Sequence, residues 1–383
     1  MPELRHGLST VGWRVKVLTV VGARPQFIKA APVSRALRAT HEEVLVHTGQ
    51  HYDESMSASF FRDLEIPQPD VNLEVGSGSH SAMTGEMLRR LEPVVLDHEP
   101  DGVLVYGDTN STLAGALVTA KAAYPGGRRP WLAHVEAGLR SSNREMPEER
   151  NRIVADHLAD LLLAPTPVAM ANLAREGLAD RAELVGDVMV DAHAWALARG
   201  DAHLPDAPRS RERYVLLTLH RAENVEDPVR LGRIVDGLAI DLPVLFPMHP
   251  RTRSAVQRSG RSLPGNVTPM EPIGYLEMTA LLSRAHAVAT DSGGLQKEAY
   301  LTGVPCITLR SETEWTETVE AGWNRVVDAD PHALAAALLD EAFMRRDRPR
   351  PPLYGDGRTA ERIVDALQRL QARVVRTRHK EGQ

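Results

Sequence analysis

Cysteine is almost absent: the chain of 383 residues has one, Cys306, so no disulfide can form within it. It stands in the apolar run Val304-Pro305-Cys306-Ile307-Thr308-Leu309, which reads as a buried strand carrying an inert thiol, as expected of a protein in a reducing cytoplasm. Aromatic residues make up only 4%, too few for the stacking platforms that hold single-stranded nucleic acid. Positive charge is not in excess: 45 Lys+Arg against 51 Asp+Glu leave a formal net charge of −6, so nucleic acid is not an expected partner. No window approaches the roughly 20 consecutive apolar residues of a bilayer-spanning helix. Met1–Gly12 also lacks the apolar stretch and small-residue cleavage site of a secretory signal, so a soluble protein with no membrane partner is expected. Metal-ligand spacings are missing as well. There is no CxxC pair and no HExxH, and between His47 and His51 lies Thr48-Gly49-Gln50, which reads as a turn, so no metal site is expected.

What is there is an ordinary globular composition, 43% apolar and 25% charged, in a chain long enough for two domains of the usual ~100–200 residues. Short β-branched runs recur at Val15–Val21, Val44–His47, Gly102–Tyr106, Trp131–Val135 and Leu161–Ala164, then at Tyr214–Leu219, Val244–Met248, Ala287–Thr290 and Cys306–Leu309. They do not alternate between apolar and polar, so they read as strands covered on both faces, and the helical stretches between them imply parallel βαβ units. The fold class is therefore α/β, with two Rossmann-like domains. The first is expected over residues 13–180 and the second over 181–357, with a hinge within about 180–210 where Arg199–Pro208 is polar and turn-rich. Ile363, Leu367, Leu370 and Val374 recur at helical spacing, so a helix over 358–376 should fold back and complete the first domain.

In open parallel sheets, ligands sit outside the carboxyl ends of the strands, and the residues there are polar in this chain. Gly22-Ala23-Arg24-Pro25 opens a helix that places Arg24 and Lys29 near its N-terminus, a setting that favours anions. Asp291-Ser292-Gly293-Gly294 follows an apolar strand and opens another helix, with a capping Ser292 and with Gly293 and Gly294 letting a ligand approach the backbone, which suits a diphosphate. Glu298, one to two turns in, is placed to accept hydrogen bonds from ribose hydroxyls. Three acids follow strands of the first half, Asp108, Glu136 and Glu148, and their mutual repulsion should raise some pKa values toward those of a general acid or base. His220 ends a strand of the second half and is typed to donate to a leaving group.

Seven motifs in order make the chain resemble the non-hydrolysing UDP-N-acetylglucosamine 2-epimerases, from about Val15 to Leu370. They are Gly22-Ala23-Arg24-Pro25 with Lys29, Thr48-Gly49-Gln50-His51, Gly107-Asp108-Thr109, His134-Val135-Glu136-Ala137-Gly138-Leu139-Arg140, Pro147-Glu148-Glu149 with Asn151-Arg152, Thr218-Leu219-His220-Arg221-Ala222-Glu223-Asn224, and Asp291–Glu298. The resemblance implies a glycosyltransferase-B-type arrangement with the active site in the interdomain cleft, and a homodimer. It implies inversion at C2 of a UDP-sugar by loss of UDP to a 2-acetamidoglucal and re-addition, with no cofactor. Asp108, Glu136, Glu148 and His220 match the family's catalytic positions. Arg24, Lys29, Arg152, Ser292, Gly293, Gly294 and Glu298 match its substrate-binding ones.

Some relatives bind a second, activating UDP-sugar, and Gln50 and His51 match that region. Asp53 stands where a glutamine is common, however, and Val75–Met83 lacks the arginine those members use. Glu314-Trp315-Thr316-Glu317 departs from the frequent Arg-Pro pattern and leaves the sugar open, with a 2,3-diacetamido uronic acid derivative as an alternative. A hydrolysing epimerase, a glycosyltransferase with an acceptor, and a non-catalytic sugar-nucleotide binder are the rival readings. The pathway, cell-envelope polysaccharide or secondary metabolite, is not encoded in these motifs.

Overall fold

A computed structural model of the chain describes residues 14–49, 65–141, 145–200 and 213–381, the side chains of Arg24 and of residues 378–381 excepted. Two compact units emerge. One runs up to Ala192 and resumes at Tyr354; the other is His193–Leu353.

The first unit holds a seven-stranded parallel sheet of β1 (Lys16–Val21), β2 (Glu42–His47), β3 (Val71–Asn72), β4 (Gly102–Tyr106), β5 (Trp131–Val135), β6 (Leu161–Ala164) and β7 (Ala182–Leu184). Its order is β3-β2-β1-β4-β5-β6-β7, so the direction of winding reverses between β1 and β4. That reversal opens a crevice at their carboxyl ends. The second unit repeats the plan with β8 (Val215–Thr218), β9 (Val244–Pro247), β10 (Val267–Met270), β11 (Ala287–Thr290), β12 (Cys306–Thr308) and β13 (Asn324–Val326), in the order β10-β9-β8-β11-β12-β13. Its switch point lies between β8 and β11.

The nine strands expected from apolar runs are present, four with the expected ends and five with ends shifted by a residue or two. The four that sequence patterning does not mark are β3, β7, β10 and β13, which are the two edges of each sheet. An edge strand is half solvated and needs no continuous apolar run. Accordingly Glu183 and Leu184 in β7, and Thr268 and Pro269 in β10, are not buried. Because β7 pairs with β6, the first sheet extends past residue 180, and the stretch expected as a hinge begins instead with strand β7 and the helix Val188–Gly200.

The C-terminal helix, Thr359–Glu381, docks on the first unit through the expected stripe: Ile363 and Leu367 are fully buried and Leu370 nearly so. Two polar contacts fix its rotation. Trp131 Nε1 donates to Gln371 Oε1 at 2.8 Å, and Gln371 Nε2 donates to Asp101 Oδ1 at 3.2 Å. Cys306 lies buried in β12, where desolvation pushes its thiol up to about 12, so it is inert as expected. Among the described residues no helix is long and apolar enough to cross a membrane.

Candidate functional site

At the first switch point, the turn after β1 approaches its neighbours closely. A Cβ on Gly22 would fall 2.0 Å from Thr48 Oγ1 and 2.2 Å from Ser111 Oγ, so only glycine fits there. Gln26 Oε1 accepts from the N–H groups of Gly22 (2.8 Å) and Ala23 (3.1 Å), and its amide donates to the Tyr106 carbonyl at the end of β4. The helix Arg24–Thr40 is thereby fixed over the crevice and carries Lys29 into it.

Lys29 Nζ makes an ion pair with Glu136 Oε2, both side chains being mostly buried. Burial pulls the Lys29 ammonium down, but the charges of Glu136 and Asp108 outweigh it, and its pKa is raised. Glu136 itself sits at φ 70°, in the left-handed region that non-glycine residues avoid. Hydrogen bonds from the N–H groups of Glu136 and Ala137 to the Leu163 carbonyl hold it there, at a cost of about 1–3 kcal/mol. The effect is to turn its carboxylate back toward β4. A Cβ on Gly107 would lie 3.1 Å from Glu136 Oε2 and 3.5 Å from Lys29 Nζ, so the β4 turn rests against this pair.

Asp108 follows directly and forms an ion pair with Arg152, on the helix Pro147–Leu158. Arg152 is steadied from behind by the buried Glu149 at 3.1 Å, which also accepts from the Ser141 N–H at 2.9 Å. Asn151 Nδ2 donates to the Asp108 carbonyl at 2.9 Å. Asp108 and Glu136 each have their own cation, because Arg152 and Lys29 arrive from two different helices. Glu148 is half-buried on the first turn of Pro147–Leu158, and none of the ion pairs among the described residues includes it. Glu149 and Asn151, one and three residues on, take the bracing contacts; helical phase, which only the folded helix sets, decides which of these neighbours faces the turn.

At the second switch point Asp291 is the hub. It is fully buried, and its carboxylate accepts from the N–H groups of His220 (3.1 Å) and Arg221 (3.0 Å) and from Asn224 Nδ2 (3.2 Å). His220 Nδ1 lies 3.1 Å from Asp291 Oδ1, leaving the half-exposed ring oriented by the carboxylate. Burial pushes Asp291 up, but the His220 hydrogen bond and charge and the backbone donors win, and its pKa is lowered. The sequence signal for this hub is position alone: Thr218 and Thr290 are register partners, so His220 and Asp291 both lie just past the carboxyl ends of adjacent strands.

Helix Gly293–Thr302 starts next to Asp291, and Ser292 caps it by accepting from the Leu295 N–H at 3.5 Å. Gly293 is flanked by the Glu314 carboxylate, which Arg310 holds at 2.5 Å, and by Trp315, whose indole N–H donates to the Gly293 carbonyl at 2.8 Å. The Lys297 ammonium stacks 3.9 Å from the centre of the Trp315 ring. Gly294 completes the open first turn, and Glu298 is buried further along beside Tyr275. Arg24 opens the helix of the first unit; Gln50 and His51 lie outside the described residues.

Each unit thus has a polar crevice at its switch point. The first offers two carboxylates paired with cations, and the second offers an oriented histidine next to a capped helix start.

The family model described as UDP-N-acetylglucosamine 2-epimerase matches residues 35–368. The chain is 46% identical to the UDP-2,3-diacetamido-2,3-dideoxy-D-glucuronate 2-epimerase of Pseudomonas aeruginosa, covering 93% of this chain and 100% of that one. Among solved structures it is similar to the Methanocaldococcus jannaschii UDP-GlcNAc 2-epimerase in complex with UDP-GlcNAc and UDP, at 40% identity and a TM-score of 0.76, over 93% of this chain and 99% of that one. The Neisseria meningitidis UDP-GlcNAc 2-epimerase bound to UDP-GlcNAc gives 30% identity and a TM-score of 0.81, over 92% and 100%. The two parallel sheets are those of the glycosyltransferase-B-type fold that these epimerases share.

Proposed function

Because the chain belongs to the UDP-N-acetylglucosamine 2-epimerase family, we propose that it inverts C2 of a UDP-2-acetamido sugar, converting UDP-N-acetylglucosamine to UDP-N-acetylmannosamine. The observation that carries this reading is the pair of carboxylates, Asp108 and Glu136, that follow adjacent strands at the first switch point and are each held by a cation. Inversion needs a proton taken from one face of C2 and returned to the other, hence two acid–base groups at one place. Glu148 is the third acid of the same stretch.

No carbonyl acidifies C2, so the C1–O bond has to break with the C2–H bond. Its electron pair leaves with UDP, the C2 proton passes to a carboxylate, and a C1=C2 bond forms in the 2-acetamidoglucal. Re-addition of UDP at C1 with a proton delivered to the opposite face of C2 completes the inversion, with no net oxidation and so no redox cofactor. The family resemblance assigns the charge developing on the diphosphate to donors at the positions of Arg24, His220 and the helix start at Ser292, Gly293 and Gly294. Lys29 and Arg152 hold the acids and face the sugar, and Glu298 takes the ribose.

A second reading has a specific support. The 46% identity to the P. aeruginosa enzyme favours a UDP-2,3-diacetamido uronic acid as the sugar, with the same chemistry at C2. One experiment separates the readings: each UDP-sugar is incubated in heavy water and followed by NMR. Deuterium at C2 of intact UDP-sugar is the expected result, and the sugar that gives it is the substrate. Accumulating free sugar identifies a hydrolysing enzyme; two inert sugars leave a transferase or a binder and overturn the proposal. The cytoplasm is supported as its place by the single, buried thiol, and a homodimer by the family resemblance.

Ser292→Ala is expected to weaken UDP binding roughly 5- to 30-fold, the equivalent of about 1–2 kcal/mol for a lost cap and phosphate donor, with little change in kcat. Calorimetric titration with UDP reads this directly. An unchanged affinity would move the diphosphate away from this helix.

A further inference from the structure

His134 has no role in the chemistry above, yet it is a fully enclosed titratable side chain beside the strand ends that carry the two acids. It lies on β5, two residues before Glu136, and its side chain is fully buried. Nδ1 is 2.7 Å from Asp156 Oδ1, and Nε2 is 2.7 Å from the Gly107 carbonyl oxygen. Asp156 is already an acceptor at its other oxygen, from the Gly138 N–H (3.0 Å) and Arg140 Nη1 (2.7 Å). With an arginine and a backbone N–H on that oxygen, Asp156 faces His134 as a carboxylate. A peptide carbonyl can only accept. Both ring nitrogens therefore face acceptors, and the ring donates from both.

The partner of Nε2 gives this arrangement its significance. Gly107 is at φ 61°, and its N–H donates to the Val135 carbonyl at 3.0 Å. With its carbonyl taken by His134, both polar groups of the residue preceding Asp108 are tied to β5. On the far side Asn151 holds the Asp108 carbonyl. β5 thus supplies Glu136 and, through His134, the clamp on the turn that carries Asp108.

We infer that His134, paired with Asp156, is a positioning residue for the acid–base pair: its Nε2–H···O=C bond to Gly107 sets where Asp108 stands relative to Glu136. The inference rests on the epimerase reading for its kinetic consequence, though not for the hydrogen bonds themselves. Loss of the clamp lets the turn shift, and a displacement on the order of 1 Å at a reacting group costs about 100-fold in rate.

The test uses the full chain in two forms, wild type and His134→Asn, whose shorter amide cannot reach the Gly107 carbonyl, with His134→Leu as the second variant should the first fail to fold. In histidine-15N-labelled wild type, one imidazole should show bonded protons on both nitrogens, protected from solvent, and this signal should vanish in either variant. With the active UDP-sugar, kcat should fall about 10- to 100-fold while KM stays within about threefold. The share of turnovers that leak free UDP and 2-acetamidoglucal should rise about tenfold. That share is a ratio per active site, so a merely structural loss of folded enzyme would not move it. Unchanged leakage in a folded variant, or a buried ring with no bonded proton on Nε2, overturns the inference. Wild type inert toward both sugars overturns the epimerase reading instead, and the proton count then decides the clamp by itself.

Discussion

Asp108→Asn and Glu136→Gln should each lower kcat by roughly 10²–10⁴-fold, the range of a lost general acid or base, while UDP still binds. The isosteric amides keep volume and part of the hydrogen bonding but cannot shuttle a proton. If the two acids work on opposite faces of C2, the variants should also fail in opposite ways. An enzyme left with one acid can remove the C2 proton of one epimer, exchange it with solvent and put it back on the same face. Each variant should therefore wash deuterium into one epimer and not the other, with the preference reversed between them. Deuterium incorporation from each purified epimer is the measurement. Two variants with the same preference would place both acids on one face, and wild-type turnover in either would remove that residue from the mechanism. Glu136→Gln carries a further consequence, since it leaves the mostly buried Lys29 without its ion-pair partner. A fall in thermal stability should accompany that variant more than Asp108→Asn, whose partner Arg152 retains Glu149.

The second large effect is expected from Asp291→Asn. A buried carboxylate that accepts from two backbone N–H groups, Asn224 and His220 cannot be replaced by an amide without aiming an N–H at another donor. The cost should be about 2–4 kcal/mol of stability, together with a loss of His220 orientation. Because folding lowers the Asp291 pKa, the folded state binds this proton less readily than the unfolded chain. Its stabilisation is complete above the ordinary aspartate range and is lost as pH falls through the lowered value. Wild type should consequently exceed the variant by the full margin at neutral pH, and the two should converge in acid. Urea unfolding at several pH values reads both the margin and the convergence. A gap that persists undiminished at low pH would mean that packing, and not the charge, makes the difference.

Trp315, Glu314 and Lys297 are the residues around the helix start that composition and motif spacing do not connect. The link between them is a hydrogen bond from an indole to the Gly293 carbonyl and a cation stacked on the ring, neither of which follows from sequence distance. They are the side chains to vary when asking which sugar the site accepts, since the stretch Glu314-Trp315-Thr316-Glu317 departs from the frequent Arg-Pro pattern.

How much was legible in the linear chain has a consistent physical basis. Strands buried on both faces announce themselves as unbroken apolar runs, so the central strands β1, β4, β5, β8 and β11, and with them the two Rossmann-like sheets, followed from composition along the chain. Residues directly after those strands, Asp108, Glu136, His220 and Ser292, were found for the same reason, because strand ends fix where a crevice must open. Edge strands stayed silent, being half exposed and free of that constraint. Pairing was also out of reach. That Lys29 neutralises Glu136, that Arg152 answers Asp108, that Asp291 gathers four donors and that His134 reaches the Gly107 carbonyl are contacts across 27 to 107 residues. Residue type and order determined which groups stand at the crevice. Register, helical phase and burial, which exist only once the sheets close, decided which of them touch, and so which charges are compensated and which side chains remain to act.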